Sequence, residues 1–354
     1  MKLAILANTK NSFPKVMAEG LNRMLARIGV ESTVFHNGLN AIEDKSYLAE
    51  RGTVPSRLRL AGATWQLRRL ANEWKQHDAI VIVGHNPAAF MRGFWNDKQL
   101  RGLLPDIPII LYDLVYLGTR GKWAQWLRDG NPAMGIPNAG NFGLERYDWY
   151  LSISVVSEHG LPKGKQRLSV IGVDLDDGSL RAGEQNGFVA LLDFQRGDHL
   201  AERRVQIQAL TEANVKWIEL RGEYSTSKIR AIYRQCSAYF IAHRESFGLP
   251  ICELQACGSV VFSPYAEWCP SHWMKDDITI DGPGRLSDNF RIYNNDPKLL
   301  VAQLRQLTAA YDAGHVRRIF LRDQPQFLSG DLGQLQQFVN LLDAGKIHSN
   351  LHRE

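Results

Sequence analysis

The chain has no apolar run of about eighteen residues, which excludes a membrane-spanning helix. Its first apolar stretch, KLAILA, is too short for the core of a signal peptide, and no small-residue cleavage site follows it. Cysteine is scarce: Cys236, Cys252, Cys257 and Cys269 are the four, all in the second half. None forms a C-x-x-C pair and no histidine stands at zinc spacing, so they read as reduced, mostly buried thiols of a cytosolic protein rather than a metal site. No internal repeat and no low-complexity tract is visible.

What is present is ordinary globular material in more than one domain's worth of chain. At 354 residues the length passes the point where a single core stops growing, so two domains are expected. The net charge of +5 favours anionic partners, among them nucleotide phosphates, acidic lipid or nucleic acid. No nucleic-acid recognition motif supports the last of these, so no nucleic-acid partner is expected.

Short apolar runs alternate with amphipathic segments, the pattern of α/β proteins with parallel sheets. Residues 2–7, 32–35, 79–84, 107–118 and 148–156 read as strands. Ser12 and Pro14 mark a helix start, Met17, Leu21, Met24 and Ile28 form its stripe, and Gly29 ends it. The turn-rich passage 157–187 reads as a junction, after which the alternation restarts. Strands follow at 187–194, 215–220, 238–242 and 259–263, with helices at 198–211 and 226–236. Asp296 caps a helix opened by Pro297, and a last helix around 331–343 has Leu335, Phe338, Val339 and Leu342 on one side. The expected organisation is an N-terminal Rossmann-like domain over 1–165, a C-terminal one over 166–330, and a final helix over 331–354 packing back toward the first. Ligands of such sheets bind at the carboxyl ends of the strands, here in a central cleft between the halves.

The stretch AHRESFGLPICELQACGSVVFS, 242–263, is the most informative. It reads as a strand end, a loop, a helix over about 250–257 and a further strand. Gly248 suits a positive φ or a close backbone approach, Pro250 the first helical turn, and Gly258 the position just past the helix. Exposed amides at the helix N-terminus make an anion site. Glu245 on the loop and Glu253 one turn into the helix flank it, and carboxylates accept well from vicinal hydroxyls. A diphosphate with a sugar on one side and a ribose on the other fits that arrangement. Alternatively, Glu253 favours the helix dipole and Glu245 is a solvated loop residue.

ESFGLPICELQACGSVV resembles the E-x7-E signature of retaining GT-B glycosyltransferases. The passage ending Ile171-Gly172-Val173-Asp174 is similar to the interdomain segment of that family. YSTSKIRAIYRQCSAYFIAHRE is similar to the helix and strand before its first glutamate. The resemblance covers about 150–310 and is only architectural before that. It implies two Rossmann-like domains facing a cleft, and metal-independent hexosyl transfer, with retention, from a nucleotide-sugar to a glycan, lipid-linked or small-molecule hydroxyl. No cofactor beyond the nucleotide-sugar substrate is implied. Residue by residue, it implies that Glu245 contacts the donor sugar and Glu253 the ribose. The backbone of Ser246, Phe247, Gly248 and Leu249 then meets sugar or phosphate.

The chain departs from the family at two places. An Arg and a Lys five apart grip the diphosphate in the family; here one register puts Leu191 and Arg196 there. A shifted register puts Arg196 and Arg203 or Arg204 there, so Arg196 survives both. Arg203 and Arg204 otherwise read as solvated helix residues. The first loop, ANTKNSFPK, lacks the family's glycines, leaving Asn8, Thr9, Lys10 and Ser12 as polar substitutes. Asp113 and His85 stand at ends of N-domain strands and either line the site or cap and pack. Arg221 and Tyr224 fall where the family binds its base. Residues 51–75 carry six basic residues with Trp65 and Trp74 interleaved. They read as a patch for an anionic membrane surface or acceptor, hence peripheral contact at the inner membrane face, or as an ordinary helix with its aromatics in the core. A non-catalytic GT-B protein that binds a glycan or protein partner is the competing reading, favoured by the altered Arg/Lys pair.

Overall fold

The computed structural model describes residues 1–7, 12–36, 54–83, 101–113, 147–154, 167–182, 184–243, 245, 247–265, 272, 285–293 and 296–351. They form two units, Met1–Asp174 with Ser329–Glu354, and Leu175–Leu328.

The first unit holds β1 (Lys2–Leu6), α1 (Ser12–Arg27), β2 (Glu31–Phe35), α2 (Val54–Trp74), β3 (Ala79–Val83), β4 (Ile109–Asp113), β5 (Trp149–Ser152) and β6 (Leu168–Val170). The six strands are parallel, in the order β2-β1-β3-β4-β5-β6. β1 and β3 are continuous apolar runs because both faces of a parallel sheet are covered. Leu67, Ala71 and Trp74 of α2 pack on Ile80, Ile82, Ile109 and Leu111. The anticipated stripe of α1 is buried at Met17, Leu21 and Met24, and Gly29 leaves the helix at φ 75°. The charged side of α1 has a partner too: Arg23 Nε and Arg27 Nη2 bind Asp174 Oδ2 at 3.1 and 3.0 Å.

The second unit holds β7 (Val189–Leu192), a 3-10 turn (Gly197–His199), α3 (Leu200–Glu212), β8 (Lys216–Glu219), α4 (Thr226–Tyr233), β9 (Ala238–Phe240) and α5 (Leu249–Ala256). It continues with β10 (Val260–Ser263), β11 (Phe290–Ile292), α6 (Pro297–Ala310), α7 (Ala313–Asp323) and α8 (Gln326–Ser329), whose last residue falls in the first unit. Its strands are also parallel, in the order β11-β10-β9-β7-β8. The core lies between this sheet and α3, α6 and α7, with Phe240 and Phe262 stacked at 4.4 Å. Asp296 caps α6 by accepting from the amides of Lys298 and Leu299 at 2.9 and 3.2 Å.

The chain then enters α9 (Leu332–Asp343), which packs on β6 and α1 through Leu335, Phe338, Val339 and Leu342. The units divide at Asp174/Leu175 and Leu328/Ser329, against 165/166 and 330/331 on the sequence reading. The physical reason is β6, which extends the first sheet beyond residue 165 and carries the chain to the Asp174 clamp. β6, β11 and α7 have no counterpart among the elements expected from sequence. The strand expected over 107–118 is β4 up to Asp113; residues 114–118 lie outside the described residues.

Candidate active site

In the second sheet β7 has β8 on one side and β9 on the other, so the chain order reverses between β7 and β9. At such a switch point the loops leaving adjacent strands diverge and open a crevice at the strands' carboxyl ends. Asp193, Arg196 and His199 follow β7; His243 and Glu245 follow β9. The Asp193 amide donates to the Phe240 carbonyl at 3.1 Å, which keeps the two strand ends together.

Gly248 makes the turn into α5. Its φ is 69°, and a β-carbon there would stand 2.8 Å from Cγ of Glu245 and 2.9 Å from Cδ1 of Ile251. Only glycine lets the loop fold Glu245 against the start of the helix. Pro250 lies in the first turn, and Gly258 closes the helix at φ 97°. Every residue from Ile251 to Ala256 is buried, so the helix is seated in the core and its N-terminal amides are fixed.

Glu245 is a quarter exposed and its Oε2 lies 2.9 Å from Nε2 of His243. An ionised carboxylate only accepts, so Nε2 carries the hydrogen. Nδ1 of the same ring lies 3.9 Å from Oδ2 of Asp193. The His243 ring also stacks on His199, centroids 6.1 Å apart. An imidazole therefore sits between a carboxylate from the β7 loop and one from the β9 loop.

Glu253 is buried, with its Oε1 held by Arg230 Nε and Nη2 at 3.0 and 2.6 Å. Burial pushes the Glu253 carboxyl above its ordinary range, and the Arg230 guanidinium opposes that push. Arg230, on α4, is 3% exposed. Burial alone lowers its pKa, yet the Glu253 carboxylate holds it above the usual guanidinium value.

Arg196 is exposed and, among the described residues, has no ion pair. Leu191, the alternative at the family's arginine position, is fully buried in β7. Arg203 is not a solvated helix residue: it is 5% exposed and donates from Nη2 to the Asp193 carbonyl. Burial lowers its guanidinium below the ordinary value, and its Nε and Nη1 have no partner among the described residues. Arg204 is exposed. The Phe247 side chain is buried edge-on against Phe327, centroids 4.8 Å apart, leaving only its backbone for a ligand. Leu249 is also largely buried. Tyr224 packs against Phe194 with centroids 6.1 Å apart, and its hydroxyl accepts from the Arg221 amide at 3.2 Å. Arg221 itself pairs with Glu219.

Asp113 ends β4 opposite Ser152; its side chain lies outside the described residues, as do Ser246, His85, Asn8, Thr9 and Lys10. Ser12 opens α1. Cys236, Cys252 and Cys257 are buried and form no disulfide among the described residues, and Cys269 lies outside them. No His, Cys, Asp or Glu cluster among the described residues is arranged to hold a metal.

His243, Asp193, His199, Arg230 and Phe194 are not marked as site residues by the sequence alone. Arg230 carried a signal: it lies three residues before the buried Tyr233 and so on the apolar stripe of α4, where a charge needs a partner. His243 carried one only in being two residues from Glu245.

Two parallel-sheet α/β units with these topologies are the architecture of the GT-B fold, and solved structures of that fold match the chain over nearly its whole length. An alpha-glucosyltransferase solved in complex with UDP is 11% identical, with 97% of this chain and 100% of that one covered and a TM-score of 0.50. A protein assigned as a UDP-N-acetylglucosamine 2-epimerase, from Listeria monocytogenes, is 12% identical, with 98% and 96% covered and a TM-score of 0.59. At these identities what is shared is the fold. No family model and no curated protein matches the sequence.

Proposed function

We propose that this chain transfers a glycosyl group from a nucleoside-diphosphate sugar to a hydroxyl acceptor, with retention of configuration. The observation that supports it most is the placement of Glu245 and Glu253 around the Gly248 turn, at the N-terminus of the buried helix α5, beside the switch point of the second sheet. The α5 amides and Arg196 bind the diphosphate and stabilise it as it leaves. Glu253 accepts from the nucleoside's ribose. Glu245 accepts from the donor sugar and stabilises the positive charge that grows on it as the glycosidic bond breaks. In a front-face route the leaving phosphate takes the acceptor's proton, so no protein nucleophile is needed. The donor is of the UDP- or GDP-sugar kind, in keeping with the UDP bound by one structural neighbour. The acceptor is a sugar or lipid-linked hydroxyl.

The test is turnover and nucleoside diphosphate affinity with a panel of UDP- and GDP-sugars. Glu245→Gln is expected to spare nucleotide binding and slow transfer; Glu253→Gln is expected to weaken both. Each lost charged contact costs about 1.5–3 kcal/mol, on the order of ten- to a hundredfold. Equal loss of nucleotide affinity in both variants would falsify the division of labour. Binding of the panel without any turnover would instead favour the non-catalytic reading, for which the buried Leu191 in place of an arginine is the one specific observation.

A surface on α2 extends the proposal to where the enzyme works. Trp74 is in the core, but Trp65 is 67% exposed, and Arg68 and Arg69 are exposed beside it. We assign this face to an anionic membrane surface, which a basic helix with an interfacial tryptophan suits. Co-sedimentation with phosphatidylglycerol vesicles at low salt is the check. Binding that survives replacement of Trp65, Arg68 and Arg69 would remove the assignment.

A further inference from the structure

Arg230 is held at every edge of its guanidinium. Nε and Nη2 donate to Glu253 Oε1 at 3.0 and 2.6 Å, and Nη2 reaches the Leu175 carbonyl at 3.3 Å. Nη1 donates to Ser179 Oγ at 3.1 Å and pairs with Asp177 Oδ2 at 2.5 Å. A guanidinium commonly meets a carboxylate fork to fork, one N–H to each oxygen. Here both N–H groups converge on Oε1 alone. Oε2 accepts no hydrogen bond among the described residues, and the Glu253 side chain keeps 9% of its surface exposed. One oxygen of Glu253 is thus taken up internally while the other keeps its accepting capacity.

This arrangement has two consequences for a ligand at the head of α5. The carboxylate cannot swing, because its partner is itself fixed by the 175–179 segment. Its negative charge is also offset by the guanidinium, which lowers the repulsion of a diphosphate bound nearby. A fixed, partly neutralised acceptor oxygen is what a vicinal diol requires, and a nucleoside lacking those hydroxyls would leave Oε2 without a partner at a desolvated position.

We propose that Arg230 is a positioning residue that makes the site select ribonucleoside over deoxyribonucleoside diphosphates, by holding Glu253 so that Oε2 meets the ribose hydroxyls. The proposal rests on the reading of Glu253 as the nucleoside contact, and it makes the sugar of the nucleotide, not only its phosphates, a determinant of the donor.

Isothermal titration of the full chain with UDP and GDP, each against its 2′,3′-dideoxy counterpart, tests it. For whichever nucleotide the wild type binds, the ribo form is expected to bind about tenfold tighter or more, the ratio for one charge-assisted hydrogen bond. Arg230→Lys, which keeps the charge but not the fixed two-pronged grip, is expected to lower that ratio to about threefold or less. Arg230→Met alone strands a buried carboxylate, so its companion is the double variant Arg230→Met with Glu253→Gln, which removes both charges and strands neither, its folding checked by its melting temperature. That double variant is expected to show no discrimination. A wild-type ratio retained in Arg230→Lys, with discrimination lost in Glu253→Gln, overturns the role of Arg230 and leaves the reading of Glu253 standing. A wild-type ratio near one, or no nucleotide binding by the wild type, overturns the reading of Glu253 and this proposal with it.

Discussion

Nε2 of His243 donates to Oε2 of Glu245 across 2.9 Å, joining the loop carboxylate to the imidazole. His243 is in turn located by Asp193 and by the ring of His199. Replacing His243 with Phe keeps a ring against His199 and removes the hydrogen bond. The expected outcome is a fall in kcat of about tenfold or more, the loss of one charge-assisted bond, with nucleoside diphosphate affinity unchanged. Steady-state kinetics beside titration calorimetry decides it; a drop in nucleotide affinity alone would place His243 at the other end of the donor.

Arg196 is exposed and, among the described residues, has no acidic partner, so its removal strands nothing in the fold. Arg196→Ala is expected to weaken nucleoside diphosphate binding by about 1.5–3 kcal/mol. The melting temperature should stay where it is. An unchanged dissociation constant would take Arg196 out of the site.

Gly20 and Gly62 lie on different helices and should respond to alanine in opposite ways. A β-carbon at Gly20 would overlap the Asp174 carbonyl oxygen, whereas Gly62 has nothing within 4 Å. Gly20→Ala is expected to cost about 1–3 kcal/mol by overpacking. Gly62→Ala, at an exposed helical position, should stabilise by about 0.4–1 kcal/mol. Denaturant unfolding of both variants checks the pair; two changes of the same sign would contradict the contact at Gly20.

Burial pushes the thiols of Cys236 and Cys257 up to about 12. At pH 8 the thiolate that reacts is then present at roughly one part in ten thousand. Peptide mapping after iodoacetamide treatment of the native protein should find both residues unmodified, and modified in urea. Rapid labelling of either in the native state would mean that its β9–α5 surroundings open.

Much of the second unit's architecture was legible in its sequence because the signals there are local. Buried parallel strands are unbroken apolar runs, as at β7, β9 and β10. The α5 motif is spelled by Gly248, Pro250 and Gly258 within a few turns of chain, and each does there what its backbone chemistry allows. β6 and β11 were illegible because three half-buried residues carry too little pattern to stand out. α7 follows α6 almost without a break, so its own period was not separated from its neighbour's.

The sequence by itself determined the two parallel α/β units, the Gly248–Pro250 helix start of α5, and the two glutamates beside it. Those depend on residues near one another in the chain. The partners of Glu253, His243 and Asp174 that lie far away in the chain were decided only by tertiary structure. Arg230 reaches Glu253 across 23 positions, His243 meets Asp193 only because β7 and β9 are neighbours, and Arg23 finds Asp174 across 151. A buried charge must be paired, and that rule says a partner exists without saying which. The choice is made when the strands take their order in the sheet and bring distant side chains to the same end of it.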